Sequence, residues 1–155
     1  GITITEERKQ SVDFTVPYDA GIQSIIVTED SPIATVEDLA GDGVKIGVQE
    51  STTGDLFCTD DFGEDHVMRF NKGADAVQAL ITGKCTAVVI DNGPAKTFVS
   101  QNEGLTILPT AYYQEDYGFE INKENTELYA EINGLLEEMI ADGTVQAILD
   151  KYKAE

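Results

Sequence analysis

Few residues in this 155-residue chain have both the type and the placing for chemistry. Thr52 and Thr53 stand between a strand pattern, Val44–Val48, and the expected start of a helix. Their hydroxyls, with the unpaired N–H groups of a helix N-terminus, suit a carboxylate. Plain helix capping is the other use of threonine there. Asp91 ends the strand pattern Thr86–Ile90, at the carboxyl edge of a parallel sheet, where ligands of open α/β sheets sit. An aspartate at that edge suits an ammonium, or it caps the turn Asn92-Gly93-Pro94. Arg8 carries a planar fork that can bond both oxygens of a carboxylate. Its own neighbourhood, Glu6 to Gln10, reads as a polar surface run. Gln49 closes the same strand as Val48; it either faces a polar ligand or touches water at the sheet edge.

The remaining reactive side chains are sparse. His66 follows an acidic turn and reads as a surface residue. Cys58 and Cys85 are either a disulfide or two buried thiols. One histidine and two cysteines are too few soft ligands for zinc unless carboxylates join them. No GxGxxG, Walker, GxSxG or HExxH pattern is present, so no cofactor and no metal are expected.

Composition narrows the class. Asp and Glu number 29 against 10 Lys and Arg, a formal net charge of −19. Such a surface repels nucleic acid and anionic headgroups. No run nears the roughly 18 apolar residues of a membrane span. Strand patterns fall at Val12–Val16, Ile22–Val27, Val44–Val48, Val67–Phe70, Thr86–Ile90, Leu105–Leu108 and Tyr117–Ile121. Helices are expected over Thr35–Leu39, from Ser51, over Ala74–Ile81, after Pro94, over Leu128–Ile140 and after Thr144, which can cap the last one. The middle therefore reads β-α-β-α-β-α-β, an α/β pattern with a parallel sheet.

The order of short motifs carries a resemblance. Thr3-Ile4-Thr5-Glu6-Glu7-Arg8, then Val12-Asp13-Phe14-Thr15-Val16-Pro17-Tyr18, resembles the "TITxER…xDFSxPY" signature of type II periplasmic binding proteins for amino acids. Val36-Glu37-Asp38-Leu39, Ile46-Gly47-Val48-Gln49 with Ser51-Thr52-Thr53-Gly54, Ala76-Val77-Gln78-Ala79-Leu80 through Asp91, and Ala141-Asp142-Gly143-Thr144 are similar to further motifs of that family, in its order. The sequence is identified as a member of solute-binding protein family 3. Two departures stand out: Ser51 replaces the family's usual glycine, and Thr86 its usual aspartate.

The resemblance implies two lobes joined by a two-strand hinge near Ile22–Thr28 and Tyr113–Ile121. Residues 1–24 and 115–155 would form lobe one, lacking its N-terminal part, and residues 25–114 lobe two. It implies an amino acid held in a cleft that closes by hinge bending. Arg8, Thr52 and Thr53 would take the carboxylate and Asp91 the ammonium. Gly1 and Thr3 would add carbonyl and hydroxyl contacts, and Gln49 would face the ligand's side chain, a polar one. Cys58 and Cys85 would pair at one end of lobe two. Tyr112, Tyr113 and Tyr117 line the hinge or pack in the core. The implied function is delivery to an ABC importer, with its permease as partner, in the periplasm or at a lipid-anchored cell surface, from a precursor with a signal peptide. The implied activity is binding, not catalysis. The same-fold alternatives are a dehydratase of prearomatic acids and a sensory receptor module. An incomplete lobe one predicts an exchanged homodimer or association with the missing piece.

Overall fold

The computed structural model describes residues 1–153. Along the chain run β1 (Ile2–Thr3), β2 (Val12–Phe14), β3 (Asp19–Thr28), β4 (Ile46–Gln49), α1 (Thr53–Phe62), β5 (Val67–Phe70), α2 (Gly73–Ile81) and β6 (Ala87–Asp91). They are followed by α3 (Asn92–Gln101), β7 (Leu105–Ile107), β8 (Tyr113–Gly118), β9 (Glu120–Asn122), α4 (Thr126–Ala141) and α5 (Thr144–Lys153). Short 3-10 turns occupy Arg8–Gln10, Glu37–Ala40 and Glu64–His66. The chain divides into two compact units: Gly1–Gly21 with the chain from Glu115 onward, and Ile22–Gln114. Strands β3 and β8 each carry residues of both.

In the unit Ile22–Gln114, strand residues are apolar on both faces. Ile25, Val27, Ile46, Val48, Ala87 and Val89 point to one side, where α1 contributes Cys58 and Phe62. Ile26 and Val88 point to the other, where α2 and α3 contribute Ala76, Val77, Leu80 and Ala95. Each of the larger buried side chains contributes about 1.5–3 kcal/mol. A strand buried on both sides needs helices on both sides, and the right-handed β-α-β crossovers supply them.

Strand β4 lies between β5 and β6, parallel to both. Strand β3 pairs antiparallel with β6, Gln23 opposite Asp91 and Ile25 opposite Val89. The expected all-parallel run ends there. With β4 on one edge of β6 and β3 on the other, the chain leaving α3 finds no free edge on β6. Strand β7 pairs instead with the far side of β3, and antiparallel.

The other unit joins β1 to β8, with Thr3 opposite Tyr117, and β2 to β9, with Asp13 opposite Ile121, all antiparallel. Asn133 of α4 accepts a bond from the Val16 N–H at 2.8 Å, tying α4 to the segment after β2. Gly143, at φ +81°, turns the chain from α4 into α5. The Asp142 carboxylate, not Thr144, serves as the cap, accepting from the Thr144 N–H at 2.8 Å. The stripe read along α4 is incompletely covered: Leu136 is buried, while Leu135 is 57% exposed. Tyr18, Phe119, Ile132, Leu136, Met139 and Ile148 line an open apolar groove of about 310 Å³.

The pairing of Cys58 with Cys85 is not formed, and both are buried free thiols. The sheet separates them. Cys58 packs with Ile25 and Val48. Cys85 packs with Ile26 and Val88, its sulfur 3.1 Å from where a Cβ on Gly47 would lie. A disulfide needs Cα atoms within about 7 Å, on converging vectors. Burial pushes the Cys58 thiol up to about 12 and the Cys85 thiol up to about 11. Both are therefore neutral and poor nucleophiles near neutral pH. Titration of the native protein with a disulfide reagent at pH 8 should consume no thiol, and in denaturant two. A native mass lower by two hydrogens would contradict the arrangement.

Candidate functional site

Within the unit Ile22–Gln114, the carboxyl ends of β4 and β6 lie side by side, and α1, α2 and α3 begin just after β4, β5 and β6. Gln49 ends β4 and Asp91 ends β6. Gly73 lets α2 start close in: a Cβ there would sit 2.5 Å from the Ile90 side chain and 3.7 Å from Gln49 Oε1.

The turn from β4 into α1 is built by a reciprocal cap. Thr52 is the N-cap residue, and its Oγ1 accepts from the Asp55 N–H at 3.4 Å while donating to the Gln49 carbonyl at 2.8 Å. Asp55 reaches back to accept from the Ser51 N–H at 2.9 Å. Its carboxylate, in a residue only 5% exposed, also accepts from Arg69 Nε at 2.7 Å and the Thr59 hydroxyl at 3.3 Å. Arg69 continues to Glu64 at 2.6 Å. Asp55 is a structural residue that the sequence reading passed over, although Thr-x-x-Asp is a capping-box spacing. Ser51 sits at φ +64°, the left-handed region, which accounts for the family's glycine at this position.

Thr53 opens α1, buried, and its Oγ1 accepts from Gln23 Nε2 at 3.4 Å. The same nitrogen donates to the Asp91 carboxylate. Asp91 occupies the N-cap position of α3, yet its side chain makes no capping bond there. The structure thus brings Thr53 and Asp91 onto one buried amide. Gln23 was not among the candidates; a polar residue inside the strand Ile22–Val27 was the available signal. Thr86 lies at the opposite end of β6, exchanging bonds with both the N–H and the carbonyl of Lys45 at 3.0 and 3.1 Å. Its departure from the family pattern therefore falls away from these residues.

In the other unit, Arg8 lies in a 3-10 turn. Its Nη1 donates to the Thr3 carbonyl at 2.9 Å, and its own N–H is received by Thr5 Oγ1 at 3.1 Å. Among the described residues the ion pairs are Lys9 with Glu6 and Arg69 with Asp55 and Glu64, so none holds Arg8. Thr3 is buried, and its hydroxyl donates to Glu115 at 2.8 Å. Both of the groups expected to reach a ligand from Thr3 are thus engaged, one by Arg8 and one by Glu115. Buried Glu115 also receives the Tyr117 hydroxyl at 3.3 Å. The Tyr117 ring lies over Gly1 and Gly21; a Cβ on Gly21 would fall 2.0 Å from its hydroxyl oxygen.

The other tyrosines have structural partners. Tyr112 donates to Asp61 at 2.6 Å beside Phe62, and Tyr113 packs on Phe57 with ring centroids 4.2 Å apart. His66, expected at the surface, is half-buried in the 3-10 turn Glu64–His66 that leads into β5.

Residues 1–155 match the bacterial extracellular solute-binding proteins, family 3. The chain belongs to that family. The glutamine-binding protein of an ABC transporter of Bacillus subtilis is 32% identical over 154 residues, covering 99% of this chain and 56% of that protein. A mutant of ArgBP from T. maritima superposes with a TM-score of 0.87 at 39% identity, covering all of this chain and 67% of that one. The arginine-, lysine-, histidine-binding protein ArtJ of Geobacillus stearothermophilus gives 0.85 at 36% identity, covering all of this chain and 68% of that one. The family 3 chain thus has the α/β fold of type II periplasmic binding proteins and spans little more than half the length of the curated relative. These relatives are named as binding proteins, not enzymes. No helix among the described residues is long and apolar enough to cross a membrane.

Two substitutions test the cap that positions Thr52 and Thr53. Ser51→Gly removes a left-handed side-chain penalty and should raise stability by about 1 kcal/mol in urea unfolding. Asp55→Ala removes the reciprocal cap and the Arg69 partner and should cost about 2 kcal/mol.

Proposed function

We propose that this chain binds a polar L-amino acid outside the cytoplasm and serves an ABC importer, with the importer's permease as its partner. The observation that carries this reading is Arg8. In a chain with 29 acidic residues against 10 basic ones, its guanidinium is held by a backbone carbonyl and by no carboxylate among the described residues. A cation oriented yet unneutralised suits an incoming carboxylate, which its fork can bond through both oxygens.

A zwitterion also demands an anion, because a desolvated ammonium without a partner is costly. Asp91 takes that role, at a strand end and half-buried. Thr53, with the N–H groups at the start of α1, adds donors for the ligand carboxylate, while Thr52, its hydroxyl proton given to the Gln49 carbonyl, holds that helix start in place. Gly1 and Thr3, seven and five positions before Arg8, complete the set, the Thr3 carbonyl by orienting the guanidinium. Gln49 faces the ligand side chain and favours a polar one. The names of the relatives, binders of glutamine and of basic amino acids, support the ligand class. The lobe boundaries read from the sequence, 1–24 with 115–155 and 25–114, belong to the same proposal, as does residence in the periplasm or on a lipid anchor. So does exchange with a second copy, which the exposed Leu128, Leu135, Ile140 and Ile148 support; a monomeric mass by light scattering would remove it.

The reading is binding without turnover. Thermal unfolding with each L-amino acid should show a midpoint that rises with the logarithm of ligand concentration for one or a few polar ones. Arg8→Ala and Asp91→Ala should each weaken binding by about 2–5 kcal/mol while leaving the far-ultraviolet circular dichroism unchanged. Unchanged affinity in both variants, or turnover of prephenate or arogenate, would refute the proposal.

A further inference from the structure

Gln23 is 1% exposed, in a strand whose next buried residues are Ser24, Ile25, Ile26 and Val27. A primary amide has two donors and an acceptor, and burying it is unfavourable unless they are met. An apolar side chain at this place would remove that cost. The amide is instead directed at two proposed ligand contacts: Nε2 donates to the Asp91 carboxylate and, at 3.4 Å, to Thr53 Oγ1. Its position is determined by the backbone. Gln23 and Asp91 are register partners across β3 and β6. Gly54 leaves room for the amide oxygen, which would lie 3.0 Å from a Cβ at that position.

Two consequences follow from the direction of these bonds. A hydroxyl that accepts from Gln23 keeps its own proton to donate, so Thr53 is oriented as a donor, as a ligand carboxylate requires. Gln23 restrains the Asp91 carboxylate through a neutral donor, which adds no charge of its own beside it. Both are tied to one planar group, so the separation of the two contacts is fixed by the amide's geometry.

We propose that Gln23 is a positioning residue that sets the distance between Thr53 and Asp91, and thereby makes the site select α-amino acids over their β-homologues. In an α-amino acid the ammonium and carboxylate share one carbon. In the β-homologue one methylene more separates them, and a site of fixed spacing cannot pair both ends. The inference rests on the proposed roles of Thr53 and Asp91.

The test is calorimetric titration of the wild-type protein and Gln23→Met with L-arginine and L-glutamine, each beside its β-homologue. One misplaced methylene is worth about tenfold or more, so the wild type should prefer the α-amino acid by at least that factor. In Gln23→Met, which keeps the volume but loses the amide, that preference should fall to within about threefold, mainly through weaker binding of the α-amino acid. Should Gln23→Met not fold, Gln23→Asn keeps the amide with a shorter reach and should reduce the same ratio. Equal losses on both ligands, or an unchanged ratio, would overturn the role of Gln23 while leaving amino-acid binding intact. A wild-type protein that binds no polar L-amino acid would overturn the ligand reading and this inference with it.

Discussion

The constraint on which the unit Ile22–Gln114 depends is burial of its central strands on both faces. Ile25, Val27, Ile46 and Val48 cannot be covered by the same helix as Ile26 and Val88. Helix α1 therefore lies on one side and α2 and α3 on the other. Parallel strands joined by helices deliver every helix start to the same edge. That edge is where Gln49, Thr52, Thr53 and Asp91 lie. The candidate binding residues are thus placed by the requirement for a two-sided core, and their chemistry is superimposed on it.

The polar architecture is economical because its buried members are shared. Asp55 caps α1, receives Arg69 and restrains Ser51 in its left-handed conformation. Gln23 serves both Thr53 and Asp91. In the other unit Glu115 receives the hydroxyls of Thr3 and Tyr117, leaving the Thr3 carbonyl to Arg8. Each arrangement meets the rule that buried polar groups must be paired. The Gln23 and Glu115 arrangements also restrain side chains that the sequence had marked as able to hold a ligand, Thr53 and Asp91 in the one and Thr3 in the other. Against the large negative charge of the chain, the orientation of Arg8 by a carbonyl is the chemically informative exception.

The cysteines show where spacing along the chain misleads. Cys58 follows a capped helix start and Cys85 precedes a strand, and both were expected at one end of the same lobe. The helix carrying Cys58 packs on the face formed by Ile46 and Val48, whereas Cys85 meets Gly47, whose missing side chain points the other way. Successive residues of a strand face opposite sides. Neither sulfur can cross that layer.

Much of this protein was determined by local sequence. The strand runs, the helix after Ser51-Thr52-Thr53, the turn at Asp142-Gly143 and the order of family motifs are short-range features, governed by side-chain periodicity and by the torsions that capping residues and glycine adopt. The family membership followed from their order. Tertiary structure alone decided that β7 would pair with β3, because which sheet edge is free depends on strands distant in sequence. It alone decided that one buried glutamine would hold Thr53 and Asp91, 38 positions apart in the chain. It decided likewise that Glu115 would meet Thr3. Hydrogen-bond partners of buried groups are set by the register and packing of the whole unit, and a single strand's pattern contains neither.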